Sequence, residues 1–203
     1  NVNARGGRYG SPLQAAAIEG NGSVVQLLLD RGAEVNLRGG ECGNALQAAA
    51  QRGHESVVRL LLERGAEVNV QGGSFGNALQ GATYRGNETV VRLLLDHGAE
   101  VNAHGGNFGN ALQAAAAGRH ESVLKLLLEH GAEVNAQGGR FGNSIQAAAR
   151  RGSESFVRLL LDCGAEANAQ GGVYGNALQA AAAEGCESIV QLLLEHGAEV
   201  NAQ

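Results

Sequence analysis

The chain has 203 residues, a formal net charge of −5 and only 3% aromatic residues. Trp and Met are absent whereas glycine occurs 32 times, so the interior must be built from Ala, Leu and Val in many small layers. No run of 18 apolar residues and no signal-peptide pattern occurs, so nothing in this sequence indicates membrane insertion or secretion.

One sequence unit recurs six times at intervals of 33 residues, without an insertion. A unit reads approximately GGxFGNALQAAAxxGxESVVRLLLxxGAEVNAQ. This period with helical patterning is typical of a solenoid whose units pack only on their neighbours. We therefore predict one continuous array over residues 1–203, in which residues 1–7 end an earlier repeat and the six repeats are 8–40, 41–73, 74–106, 107–139, 140–172 and 173–203.

Within the second unit, a first helix is expected to begin at Asn44, since asparagine is a strong N-cap, and to end at Gly53. Segment 56–62 predicts a second helix with valines and leucines four residues apart on its core-facing side, and Gly65 ends it in a left-handed conformation. Residues 67–73 then form an extended arm that turns on paired glycines. The predicted unit is a helix, a turn, a second helix and a projecting loop.

These features resemble the ankyrin-repeat family over the whole chain. The matching elements are the period, Gly-His-Glu at 53–55, Val-Val-Arg-Leu-Leu-Leu at 57–62 and Gly-Ala-Glu-Val-Asn at 65–69. The resemblance implies an all-α solenoid of stacked helix-turn-helix units with projecting β-turn loops. It also implies a non-enzymatic module that needs no cofactor and binds a protein partner through its concave face.

The sequence departs from the family pattern at two places. The Thr-Pro-Leu-His box is here Ser11-Pro12-Leu13-Gln14 in the first unit and Asn-Ala-Leu-Gln in most others. The glycine that usually precedes the box is replaced by an aromatic residue or cysteine, namely Tyr9, Cys42, Phe75, Phe108, Phe141 and Tyr174. Loss of the histidine removes a hydrogen bond that braces the loop, and we expect the aromatic ring to brace the turn by packing.

The variant Gly-Gly-x-aromatic-Gly-Asn-Ala-Leu-Gln is more narrowly similar to the ankyrin arrays of fungal nucleotide-binding immune-receptor-like (NACHT/STAND) proteins. That resemblance implies a ligand-sensing part of a larger, cytoplasmic receptor-like protein. Neither end carries a polar capping repeat, so we expect a fragment of a longer array whose uncapped ends can stack on one another. Cys163 and Cys186 lie too far apart in register for a disulfide, which favours a reducing, intracellular setting.

Comparison of the six units with one another separates nearly constant columns from four variable ones. The variable columns lie at the loop tip, at the end of the first helix and at the entry to the loop, where the family resemblance implies a concave binding face. Exposed acidic columns of the second helix stay nearly fixed, so this confined variation favours recognition over drift. Candidate partner-binding residues in the variable columns are Arg8, Arg38, Glu41, Arg52, Ser74, Tyr84, Arg85, Asn107, Arg140, Arg150, Arg151 and Val173.

The variable columns are basic on an otherwise acidic chain. They contain seven arginines and three glutamates, a balance of +4, so the remaining surface carries −9. Such a stripe predicts a protein partner with an acidic surface, since complementary charge raises encounter rate and specificity. Arginine and tyrosine dominate interface energetics, so the main basic contacts and a central aromatic anchor are expected at Arg52, Arg85, Arg140, Arg150, Arg151 and Tyr84.

Other binding chemistries find little support. The net charge is negative and Lys125 is the only lysine, which argues against nucleic acid, and no lysine follows the repeated glycines as a phosphate-binding loop requires. His97, His130 and His196 share one column but lie in layers about 8–10 Å apart, too far for one zinc ion, so they are expected to bind helix-terminal carbonyls. His54 and His120 are expected to act as helix N-caps. Neither a G-x-S-x-G elbow nor an H-E-x-x-H pair occurs, so the sequence predicts no metal site and no enzyme.

Two alternatives to a recognition module remain open at the level of sequence. The first is a structural spacer that assembles end to end, which mass growth with concentration in light scattering would reveal. The second is a designed consensus-like binder, against which the irregular Arg119 in a glycine column and Ala167 in a valine column argue.

Overall fold

The computed structural model describes residues 1–201, in which the regular secondary structure is entirely α-helical. Twelve helices follow one another as six successive pairs, one pair in each repeat. They are α1 Pro12–Ile18, α2 Gly22–Asp30, α3 Ala45–Arg52, α4 Glu55–Glu63, α5 Ala78–Arg85, α6 Glu88–Asp96, α7 Ala111–Gly118, α8 Glu121–Glu129, α9 Ser144–Arg150, α10 Glu154–Asp162, α11 Ala177–Ala183 and α12 Glu187–Glu195. The predicted all-α stack of helix-turn-helix units is confirmed.

The odd-numbered helices begin where the sequence predicts. The Asn44 side chain accepts a hydrogen bond from the Gln47 amide at 2.8 Å, and Ser11 does the same for the Gln14 amide in the first unit. An amide that would otherwise lack a partner in the first turn is thereby satisfied. The helix ends at Gly53, whose φ of 77° is readily adopted only by a residue without a Cβ.

The first helices of the internal units are buried along most of their length. Residues 45–50 of α3 are all buried, since α1 and α5 flank this helix and α4 covers it. Four of those six residues are alanines, and small side chains let neighbouring helices approach closely. Val57, Val58 and Leu61 of α4 complete the layer and are fully buried. One apolar core therefore runs through the array from Leu13 to Ala198.

The glutamine at the end of the N-terminal box holds the loop that leads into the following repeat. Gln47 is buried, and its Nε2 donates to the carbonyls of Val70, Gly72 and Gly76 at 3.0–3.1 Å. The same amide position recurs at residues 14, 80, 113 and 146. The expectation that the loops lack a bracing hydrogen bond is therefore wrong, because glutamine supplies the donor that histidine provides in the usual box.

A second ladder links the other edge of each repeat to its neighbour. Asn36 Nδ2 donates to the Gly65 carbonyl at 3.2 Å, and its Oδ1 accepts from the Glu67 amide at 2.9 Å. Equivalent pairs start from Asn3, Asn69, Asn102, Asn135 and Asn168. The Gly65 carbonyl lies just beyond the C-terminus of α4, so the asparagine satisfies a group that the helix leaves free.

Candidate functional site

The shape of the array follows from the side chains of its two rows of helices. Odd-numbered helices contact their neighbours much more extensively than even-numbered helices do. Alanines permit this close approach, whereas the leucines of the even-numbered helices hold their axes further apart. The array therefore curves toward the odd-numbered helices, and we call the surface formed by their C-terminal ends and the loop tips the inner face.

The loop tips of the inner face form one hydrogen-bonded row. The amide of each tip residue donates to the carbonyl of the tip before it, as in Asn107 to Ser74 at 3.0 Å and Arg140 to Asn107 at 3.1 Å. The side chains of all six tips are exposed: Arg8, Glu41, Ser74, Asn107, Arg140 and Val173. Backbone bonds carry the row, so its side chains vary without altering the fold.

The C-terminal ends of the first helices present exposed arginines beside the tips. Arg52 and Arg85 are the last residues of α3 and α5, and Arg151 directly follows α9. A cation at this end of a helix interacts favourably with the helix dipole. Within residues 1–201, no carboxylate lies within 4 Å of any of these three guanidiniums.

Two other candidate arginines are neutralised by the fold. Arg8 forms an ion pair with Glu41 at 3.1 Å, and Arg150 forms one with Glu184 at 2.6 Å. Arg150 also donates from Nε to the Tyr174 hydroxyl, and that hydrogen bond together with Glu184 raises the pKa of Arg150. Considering residues 1–201 alone, the arginines of the four variable columns without an ion pair are Arg38, Arg52, Arg85, Arg140 and Arg151. The sequence alone does not show this pairing, because it depends on side chains of neighbouring repeats.

Several aromatic rings on the inner face pack against one another. Tyr84 is half-buried, with its ring centroid 4.5 Å from that of Phe108 and 5.4 Å from that of Phe75. The row of rings continues from Phe108 to Phe141 at 6.3 Å. The contacts of Phe108 with Phe75, Tyr84 and Phe141 run across repeats and confirm that the three phenylalanines before the box brace the loops by packing.

Guanidiniums lie over this row of rings. The Arg140 Cζ is 5.2 Å from the Phe141 ring centroid, Arg151 lies 6.0 Å from the same ring, and Arg85 lies 5.7 Å from that of Tyr84. The attraction between a cation and an aromatic face is worth about 0.5–1 kcal/mol at exposed sites, so each arginine is partly oriented before a partner arrives.

The basic residues of the even-numbered helices are neutralised by glutamates of their own helices. Four of these helices have an acidic residue paired with a basic residue one turn later, as in Glu88 with Arg92 at 2.9 Å and Glu121 with Lys125 at 2.6 Å. The hydrogen bond from Arg92 holds the pKa of Glu88 below its ordinary value, and Lys125 does the same for Glu121. On the surface formed by these helices, which we call the outer face, the cations are therefore paired, whereas the inner face offers unpaired cations.

The histidine side chains make hydrogen bonds within and between repeats. His97, His130 and His196 each place Nδ1 2.8 Å from the carbonyl four residues earlier, which confirms their expected contact with helix-terminal carbonyls. His54 and His120 precede α4 and α8, but their side chains make no capping hydrogen bond, so that expectation is wrong. Their Nε2 atoms instead lie 3.1 Å from the carbonyls of Ile18 and Tyr84, so each ring ties its repeat to the one before.

A groove opens between the ends of α5, α7 and α9 on the inner face. Its volume is approximately 420 Å³, and its lining residues are Tyr84, Arg85, Ala117, Gly118, Arg119, His120 and Arg151. In the sequence, Arg119 is recognisable only as an irregularity in a glycine column. Among residues 1–201, no group of three or more His, Cys, Asp or Glu side chains is placed to hold a metal ion. Within the same span, no helix has the length and apolar character needed to cross a membrane.

Comparison with known proteins identifies the repeats. A family model described as ankyrin repeats in three copies matches residues 1–72, 71–138 and 140–203. The crystal structure of the human ASB11 ankyrin repeat domain is similar, with a TM-score of 0.80 and 26% sequence identity over 94% of this chain and 86% of that chain. No curated protein matches the chain. Because 537 chains of solved structures match it, the likeness identifies the architecture and does not single out a partner.

Proposed function

The chain belongs to the ankyrin-repeat family, whose repeats typically form non-catalytic modules that bind proteins, and we propose that it binds an acidic surface of a protein partner through its inner face. Because the repeats are regular, each layer presents one side chain in each variable column. A partner segment lying along the inner face therefore meets a different side chain in every repeat.

One observation carries this proposal, namely the contrast in charge pairing between the two faces. The basic residues of α4, α6, α8 and α10 pair with glutamates of their own helices. On the inner face Arg52, Arg85 and Arg151 have no such pair among residues 1–201, although the chain as a whole is acidic. Unpaired cations on an acidic body favour an acidic partner and accelerate its encounter.

The proposed contact surface comprises the variable columns. Arg52, Arg85, Arg140 and Arg151 provide cations, and the exposed part of Tyr84 provides an aromatic surface between them. Arg150 belongs to the surface but contributes its charge to an internal pair with Glu184. The remaining positions of the proposed surface are Arg8, Arg38, Glu41, Ser74, Asn107 and Val173.

The test compares two triple variants of the chain in affinity capture followed by mass spectrometry. The first changes Arg52, Arg85 and Arg151 to Glu, and the second makes the same change at Arg59, Arg92 and Arg158. Both sets lie in repeats two, three and five and alter net charge equally, but the second set lies on the outer face. We expect proteins retained by the unmodified chain and by the outer variant to be lost with the inner variant. Equal retention by both variants would refute the proposal.

We further propose that the chain is a ligand-sensing part of a larger receptor-like protein of the fungal NACHT type, acting in the cytoplasm. The repeated Gly-Gly-x-aromatic-Gly-Asn-Ala-Leu-Gln motif supports the first part. All three cysteines carry free thiols, which supports a reducing compartment. The complete parent sequence tests the first part, since it must then contain a nucleotide-binding domain. Fluorescence microscopy of the tagged parent tests the second.

End-to-end assembly is a second candidate function, because apolar side chains are exposed at both ends of the described array. Leu27 is 51% exposed on the first repeat, and Leu194 and Val200 are 42% and 75% exposed on the last. A groove of approximately 360 Å³ lined mainly by apolar residues adjoins the latter two. Light scattering over a concentration series tests this candidate: mass that grows with concentration supports it, and a constant monomer mass rejects it.

A further inference from the structure

The groove between the ends of α5, α7 and α9 differs from the rest of the inner face by gathering three arginines. Arg85, Arg119 and Arg151 come from three successive repeats and line the same space of approximately 420 Å³. The lining includes no carboxylate, and among residues 1–201 none lies within 4 Å of these three guanidiniums. The groove therefore concentrates positive charge that the protein itself leaves unbalanced.

Two exchanged residues create the groove. In the other repeats a charged residue at or just after the end of the first helix is followed by glycine, as in Arg52-Gly53, Arg85-Gly86 and Arg151-Gly152, whereas the fourth repeat has Gly118-Arg119. A Cβ at residue 118 would lie 2.5 Å from the Tyr84 carbonyl oxygen, so only glycine fits this backbone. The exchange thus leaves lining residue 118 without a side chain and places an arginine one position further along.

The backbone at Arg119 is strained by the exchange. Its φ of 65° makes it the only non-glycine residue with positive φ in the described part of the chain. An L-residue in this conformation costs roughly 1–2 kcal/mol, and such strain tends to occur at functional sites. A glycine there, as in the other repeats, would avoid the cost, so the arginine lowers the stability of the fold at this position.

We propose that this groove binds a phosphorylated side chain of the protein partner. The inference rests on the proposed function, because it assigns to one part of the inner face the chemistry that it recognises. A phosphate monoester carries a charge of about −1.5 to −2 and three strong acceptor oxygens, whereas a carboxylate carries −1 and two. Three guanidiniums without an internal counter-ion match the dianion better, since each presents a planar fork of donors suited to phosphate oxygens.

The binding test uses degenerate peptide pools that share one fixed central residue. Pools with phosphoserine, serine and glutamate at that position are compared on the full chain by fluorescence anisotropy, together with inorganic phosphate as a competitor. We expect the phosphoserine pool to bind at least about ten-fold more tightly than the other two, equivalent to about 1.4 kcal/mol. Equal binding of the phosphoserine and glutamate pools would overturn the phosphate assignment. Inorganic phosphate that competes as well as the phosphopeptide would overturn the assignment to a protein segment.

Variants that keep the fold make the result interpretable. Arg119→Gly removes one guanidinium and relieves the backbone strain, so a loss of binding cannot be attributed to unfolding. We expect Arg119→Gly to lose the preference for the phosphoserine pool, whereas Arg31→Gln, which removes an exposed arginine outside the groove, should keep it. Retention of the preference by Arg119→Gly would overturn the inference.

The two proposals fail in different ways. If Arg119→Gly changes nothing but the triple inner-face variant loses its captured proteins, the phosphate inference is wrong and the acidic-partner proposal stands. If the triple variant also captures the same proteins as the unmodified chain, the inner face is not the binding surface and both are wrong.

Discussion

Substitution of Gln113 by alanine tests whether the glutamine ladder holds the repeats together. Gln113 is fully buried, and its Nε2 donates to the carbonyls of Ala136 and Gly142 at 3.0 and 3.1 Å. The Gly142 carbonyl keeps a second bond from the Gly138 amide at 2.7 Å, so the variant leaves Ala136 as the main unsatisfied acceptor. Leaving a buried acceptor without a hydrogen bond lowers the free energy of unfolding by about 1–3 kcal/mol, and loss of a buried methylene lowers it by about 0.8 kcal/mol more.

One contribution acts in the opposite direction. The Oε1 atom of Gln113 is buried without a hydrogen-bond partner, so its removal offsets part of the destabilisation. We therefore expect the free energy of unfolding to fall by about 2–3 kcal/mol and the melting temperature by about 4–12 °C for a chain of this length. Urea denaturation followed by circular dichroism measures the change, with exposed Gln137→Ala in the same repeat as control, expected within about 0.5 kcal/mol. A loss for Gln113→Ala no larger than that of the control would refute the role of the ladder.

Three further predictions concern single positions. Arg119→Gly should raise the free energy of unfolding by about 0.5–1 kcal/mol in the same assay, because it relieves the left-handed strain but adds freedom to the unfolded chain; a lower stability would contradict the strain argument. Gly76→Ala should lower the free energy of unfolding by about 1–3 kcal/mol, because the φ of Gly76 is 97° and a Cβ there would lie 2.8 Å from the Gly105 carbonyl carbon. An unchanged melting temperature would be inconsistent with this packing. Burial raises the pKa of the Cys42 thiol, so at pH 8 the exposed Cys163 should react with a disulfide reagent before Cys42, as peptide mapping can show; equal rates would count against this burial.

The architecture could be predicted from the sequence because its determinants are local and repeated. Asn44 caps a helix through an amide three residues away, and Gly53 and Gly65 end helices through their own backbone conformations. Six repetitions of such signals in phase leave little freedom for another fold. The aromatic residues before the box also brace the loops as expected, since identical rings at equivalent positions must come close in a regular stack.

The candidate site was harder to predict, because its properties depend on contacts between repeats. Arg150 and Glu184 are 34 positions apart, and only the register of adjacent layers shows that they neutralise each other. His54 occupies a capping position but reaches back to Ile18, a contact that its local sequence does not indicate. Arg119 gave a detectable signal, since it breaks a glycine column, but its place in one groove with Arg85 and Arg151 required the structure.

Hydrogen–deuterium exchange with and without a captured partner tests whether the chain recognises a protein through its inner face. We expect slower exchange in the complex at the ends of the first helices and at the loop tips, especially around residues 84–85, 117–119 and 150–151. Helices α4, α6, α8 and α10 of the outer face should exchange at unchanged rates. Protection confined to those helices, or to the exposed apolar surfaces at the two ends of the array, would contradict the account.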